Sequence, residues 1–132
     1  MRFNLFKTLL LASAPLALNA WASELVVIAS AGVNLTADEV RDVFVGDKQL
    51  AGQLKLVPLD NTAAQEEFLS KVVKVNAGKY ASIWAKKGFR EGINPPPLRS
   101  SDAEVILAVK NSLGAIGYVS KAPADVKVIL KY

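Results

Sequence analysis

The chain has 132 residues, with 16 Lys and Arg against 12 Asp and Glu, a formal net charge of +4, and neither His nor Cys. That composition excludes Ser-His-Asp and Cys-His catalysis, the usual zinc sites, c-type haem attachment and any disulfide. The length suits one domain able to bury a core without covalent staples or a structural metal.

The opening residues 1–22 read as a secretory signal peptide: Arg2 and Lys7 precede an apolar run from Leu9 to Leu18, and Ala20 and Ala22 flank Trp21, with cleavage near Ser23. The run falls short of the roughly 20 residues that span a bilayer, and Pro15 interrupts it. Residues 23–132 are therefore expected as a single exported, periplasmic domain with no stable membrane insertion. Arg2 and Lys7 account for half of the formal charge. The remaining cations are scattered except at Lys86, Lys87 and Arg90, which read as a solvated helix end, so no nucleic-acid-binding face is expected.

Glu24 to Ser30, ELVVIAS, reads as a strand buried on both faces. Thr36 and Glu39 form a capping box for a helix whose core face holds Val40, Val43 and Phe44, with Gly46 near its stop. KLVPL gives a second strand, which Pro58 confines to an edge or to its own end because proline donates no ladder hydrogen bond. Thr62 and Gln65 repeat the capping pattern ahead of Ala64, Phe68, Leu69, Val72 and Val73, which predicts the longest helix of the chain. GKYASIWAKKGF predicts a short amphipathic helix ending near Gly88, with Trp84 in the core. The following INPPP is extended, because three consecutive prolines forbid a helix.

Ser101 and Glu104 supply a third capping box, followed by Val105, Ile106, Val109 and Leu113, with Gly114 as a left-handed helix stop. AIGYVS and DVKVIL read as two closing strands, the latter alternating Val126, Val128 and Leu130. Strands interleaved with helices in this order predict an α/β sandwich with a mostly parallel central sheet flanked by helices, and room for one antiparallel edge. The acid pairs Asp38-Glu39 and Glu66-Glu67 belong to first helical turns, where carboxylates meet unsatisfied amides, and adjacent helix positions do not face each other as an acid and base would. Ser70-Lys71 and Ser120-Lys121 are sequence neighbours only, so no enzyme is expected.

Four stretches together resemble a known family: VFVGDKQL, VPLDNTAAQEEFL, IWAKKGFREGINPPP and SSDAEVILAVKNSLGAIGYVS. They look like the C-terminal lobe of periplasmic substrate-binding proteins of phosphate-type ABC transporters, and closer still like short single-lobe relatives. The likeness runs from Leu25 to Ser120. It implies a single lobe of a type II periplasmic-binding-protein fold that recognises a small oxyanion such as phosphate and needs no cofactor. In the relatives a segment R-S-D-G-S-G-T-T-x-x-F builds half of the phosphate site. Aligned on Phe68, this chain keeps Asp60, has Asn61 and Thr62 in the Gly-Ser places and Ala63, Ala64 and Gln65 after them, and carries Pro58 where the arginine stands.

The resemblance thus implies a ligand-binding turn at Asp60, Asn61, Thr62, Ala63 and Ala64 that binds weakly or has lost its ligand. Arg99, Ser100 and Ser101 form a second candidate anion site, where a cation, two hydroxyls and free amides converge at a helix start. No residue group is expected to hold a metal. The alternative is an envelope accessory protein that presents the lobe face to a membrane transporter or receptor component, or to a second copy of itself as a homodimer.

Overall fold

The computed structural model describes residues 24–132; the expected signal peptide lies outside the described residues. The elements run β1 (Val26–Ala29), α1 (Ala37–Phe44), β2 (Leu50–Ala51), β3 (Leu54–Lys55), β4 (Val57–Asn61), α2 (Gln65–Phe68), a π-helical segment (Leu69–Val73), α3 (Ala77–Glu91), β5 (Leu98–Arg99), α4 (Asp102–Asn111), β6 (Ala115–Val119) and β7 (Lys127–Lys131). The central sheet has the order β5-β4-β6-β1-β7, and β2 with β3 forms a separate two-stranded hairpin.

β4 pairs in parallel with β5 and β6, while β1 runs antiparallel to both β6 and β7. Four of the five strands therefore share one direction. The reversed strand is β1, which sits inside the sheet rather than at its edge, because β6 and β7 both pair with it instead of with each other.

All of β1 is buried, as a strand covered on both faces must be. Leu25, Val27 and Ala29 join Ile116 and Tyr118 under α1, the π segment and α3, whereas Val26 and Ile28 join Ala115 and Val119 against Val105 and Val109 of α4. The result is three layers, with α1 to α3 on one face and α4 on the other. Gly117 faces α4 at such close range that a Cβ there would lie 2.6 Å from Val105 Cγ1. In β7 the expected alternation is broken by a bulge opposite Val27 and Ile28: Val126 and Val128 pack on the α4 side and Ile129 and Leu130 on the other.

Apart from the start of α2, helix limits follow the capping chemistry with three departures. The Thr36 box closes as expected, Glu39 N donating to Thr36 Oγ1 at 3.2 Å and Thr36 N to Glu39 Oε1 at 2.9 Å. α3 runs on past Gly88 to end at Gly92, whose φ of 68° and N–H bond to Gly88 O make the left-handed stop. α3, not the helix after Thr62, is the longest: α2 keeps α-helical bonding for four residues and then widens into the π turn, ending at Lys74 in a left-handed conformation. The third departure is at Gly114. α4 stops at Asn111 with Ser112 extended, leaving Leu113 exposed. Gly114, at φ +79°, is required by close approach instead, since a Cβ would fall 2.0 Å from Lys55 O.

Candidate functional site

The parallel trio β5-β4-β6 ends in one place. Asn61 is in register with Arg99, and Leu59 with Gly117, so the residues that follow β4, β5 and β6 emerge side by side at the carboxyl end of the sheet. Open α/β sheets collect ligands in such a crevice. The two candidate clusters read from the sequence as separate, 60–64 and 99–101, are thereby adjacent: Thr62 N donates to Arg99 O at 2.9 Å and Asp60 N to Pro97 O at 2.8 Å.

Asn61 organises the turn. Its side chain is fully buried, its Oδ1 accepts from Ala63 N at 2.9 Å, and its Nδ2 donates to Tyr118 O at 3.0 Å and to Asp102 Oδ1 at 2.8 Å. Thr62 is exposed and does not cap; Ala64 is the first flanking residue of α2, with no side-chain cap, and its N–H goes to Asn61 O. The expectation of a Thr62 cap fails because Asn61, one position earlier, is held by β6 and turns its amide oxygen onto the loop. Consequently the amides of Thr62, Ala63 and Ala64 are all spent on internal acceptors.

Beneath the turn lies a cluster that sequence spacing did not flag. Asp60 is buried, and its two oxygens accept from Tyr118 Oη at 2.7 Å and Tyr80 Oη at 2.8 Å. Tyr118 Oη in turn accepts from Asn61 N at 3.1 Å. Burial raises the Asp60 carboxyl from 3.8 to about 6, against the lowering effect of the two tyrosine hydroxyls. Both tyrosines are pushed well above their ordinary range, first by burial and then by the neighbouring carboxylate. The Tyr118 ring stacks on Phe68 at 3.8 Å, with Phe44 edge-on to both, which locks the hydroxyl in place.

Asp102, the first residue of α4, closes the crevice from the other side. Its carboxylate accepts from Asn61 Nδ2, from Ser120 Oγ at 2.7 Å and from Ser120 N at 3.1 Å. Ser101 caps α4 through Glu104 N at 3.3 Å, but Glu104 bonds the Ser100 hydroxyl instead of completing the box. Arg99 is half-buried, and its Nε is buried with no hydrogen-bond partner. Among the described residues no group of three or more His, Cys, Asp or Glu side chains is placed to hold a metal ion, and no helix is long and apolar enough to cross a membrane.

No family model matches the sequence, and no curated protein matches it. Among solved structures the chain is similar to an ABC-type phosphate transport receptor from Vibrio cholerae, with a TM-score of 0.51 and 16% sequence identity. The likeness covers 81% of this chain and 45% of the receptor, so this chain spans less than half of that one. At that identity the relationship is one of fold: a lobe like those of periplasmic binding proteins, a mostly parallel sheet flanked by helices.

Proposed function

We propose that this chain is an exported, non-enzymatic solute-binding module of the phosphate-binding type whose oxyanion site is largely filled by the protein's own acceptors. It binds phosphate-like oxyanions only in the millimolar range. The fold likeness to a phosphate transport receptor supports the class, and one observation carries the affinity: the Asp102 carboxylate takes the donors of Asn61 and Ser120 at the carboxyl end of the sheet. A second anion there would meet a charge of its own sign and find the amides of Thr62 to Ala64 already used.

The remaining donors are Arg99, whose Nε has no partner, and the exposed hydroxyl of Thr62, the Ser100 hydroxyl being spent on Glu104. A hydrogen bond to a charged group contributes about 1.5–3 kcal/mol, whereas micromolar binding needs about 8 kcal/mol. Two such contacts reach millimolar affinity. Asp60 acts from below, holding the turn through its tyrosines rather than touching the ligand. Ser101 serves α4 as its cap.

The rival reading, an accessory protein docking through this face, has less support. Near Thr62 in the chain and across β5, Ala63, Glu66 and Ser100 are exposed and polar or small, and Leu98 is a lone exposed apolar side chain rather than a contiguous patch. Isothermal titration of the protein with phosphate and sulfate tests the proposal. A weak, salt-sensitive isotherm with millimolar Kd is expected. Micromolar binding would show that Asp102 does not block the site, and no heat at all from either anion would remove the solute-binding assignment.

A further inference from the structure

We propose a second ligand site at the opposite end of β4, one that takes a small amphipathic carboxylate, an apolar body with a single anionic head. A cleft of about 520 Å3 lies between the loop after α1, the junction of β3 with β4 and the segment 92–97, and none of residues 60–64 or 99–101 lines it. Its volume is that of a small-molecule site, roughly 300–1,000 Å3.

Its floor is apolar and fixed. Trp84 is buried with its indole N–H donating to Phe44 O at 3.0 Å, so the ring is oriented by the core and offers the cleft only its hydrocarbon surface. Ile93 and Pro96 extend that floor. A Cβ on Gly46 would lie 2.9 Å from the Trp84 ring, so the bare backbone there keeps the ring seated.

The charge at the cleft is one-signed. Lys48 and Lys55 line it and no Asp or Glu does. Lys48 reaches Glu39 only at 3.7 Å, and Lys55 makes no ion pair among the described residues. An apolar floor bordered by two lysines matches a ligand with a hydrophobic body and a carboxylate. A bare inorganic anion would forgo the floor, and a neutral apolar molecule would forgo the lysines.

An extended peptide is the poorer fit, although the sheet edge is open here. β5 pairs only with Asp60 and Asn61, and Pro58 has no N–H to offer a further strand. A ladder with an added peptide would lack its donor at the position where it must start.

Nuclear magnetic resonance titration of the full chain with phenylacetate, with neutral phenylacetamide and with inorganic phosphate tests the site. Phenylacetate is expected to give saturable shifts at the Trp84 indole N–H and the Gly46 and Ile93 amides, and phenylacetamide to bind at least tenfold more weakly. Phosphate should leave those resonances unmoved. A Lys48→Gln, Lys55→Gln double variant should bring the two aromatic ligands to equal affinity. Equal binding of the two by the unmodified protein, or no saturable shift around Trp84, would overturn the proposal without recourse to the variant.

Discussion

Asn61 Nδ2 donates to Asp102 Oδ1 at 2.8 Å across 41 residues of sequence, tying the turn after β4 to the first residue of α4. The same Asp102 carboxylate accepts from Ser120 after β6. One acidic side chain, the first residue of α4, thus knits together the segments that follow two parallel strands. Open α/β sheets bind ligands at that end of their strands, and the cross-link joins its two sides.

The division of labour in the turn is measurable. Asn61→Ala removes acceptors and donors serving Ala63, Asp102 and Tyr118 from a fully buried position. It is expected to lower unfolding free energy by about 2–4 kcal/mol, the range for breaking a buried hydrogen-bond network. Thr62→Ala, at an exposed hydroxyl with no cap to lose, should change it by less than about 0.5 kcal/mol. Urea denaturation of both variants reads the difference, and comparable losses would restore Thr62 as the cap.

Asp60 makes stability depend on pH. Its carboxyl is raised from 3.8 to about 6, so between those values the native state binds more protons than the unfolded chain, and stability falls as pH rises through that window. At about 1.4 kcal/mol per pH unit, the loss attributable to Asp60 between pH 4 and pH 7 is roughly 2–3 kcal/mol. Asp60→Asn keeps a group that can accept from one tyrosine and donate to the other, and should abolish that slope. Stability of the two proteins measured at pH 4, 5, 6 and 7 gives the difference directly; parallel curves would mean Asp60 is charged throughout.

Gly114 is a steric requirement rather than a helix stop. Gly114→Ala would place a methyl group on Lys55 O while the backbone stays at φ +79°. A left-handed non-glycine residue alone costs of order 1–3 kcal/mol, and the overlap with a carbonyl adds to it, so a loss of about 3 kcal/mol or more is expected. A thermal unfolding midpoint within a degree or two of the unmodified protein would contradict the close approach of β3 to β6.

The layers were legible in the sequence because they depend on local rules. The apolar run at Val26 to Ala29 could be buried only on both faces, and Thr36 with Glu39, and Ser101 ahead of Glu104, marked helix starts through backbone donors three residues away. Pro58 does not end its strand, which runs on to Asn61, but it does lie at an edge there, because β5 pairs only beyond it. What stayed hidden depends on distant partners. Tyr80 lies on an amphipathic helix and Tyr118 in a closing strand, and nothing in their spacing announces that both hydroxyls converge on Asp60. The register that turns Asn61 toward Tyr118 O outranks the local Thr62 pattern. Nothing local marks Asp102, and only the parallel pairing of β4 with β6 brings Ser120 and Asn61 to it.

Asp102 is proposed to stand where an oxyanion would bind, and the response of stability to phosphate tests this most directly. Asp102→Ala frees the Ser120 donors and one of the two Asn61 Nδ2 bonds, the other remaining on Tyr118 O. Ligand that binds only the folded state stabilises it by RT ln(1 + [L]/Kd), about 1.4 kcal/mol when the ligand is tenfold above Kd. Thermal unfolding of the two proteins in rising phosphate, at constant ionic strength, should show the variant stabilised at lower phosphate, and by more, than the unmodified protein with its millimolar Kd. An equal response of the two, whether both gain or neither does, would contradict it.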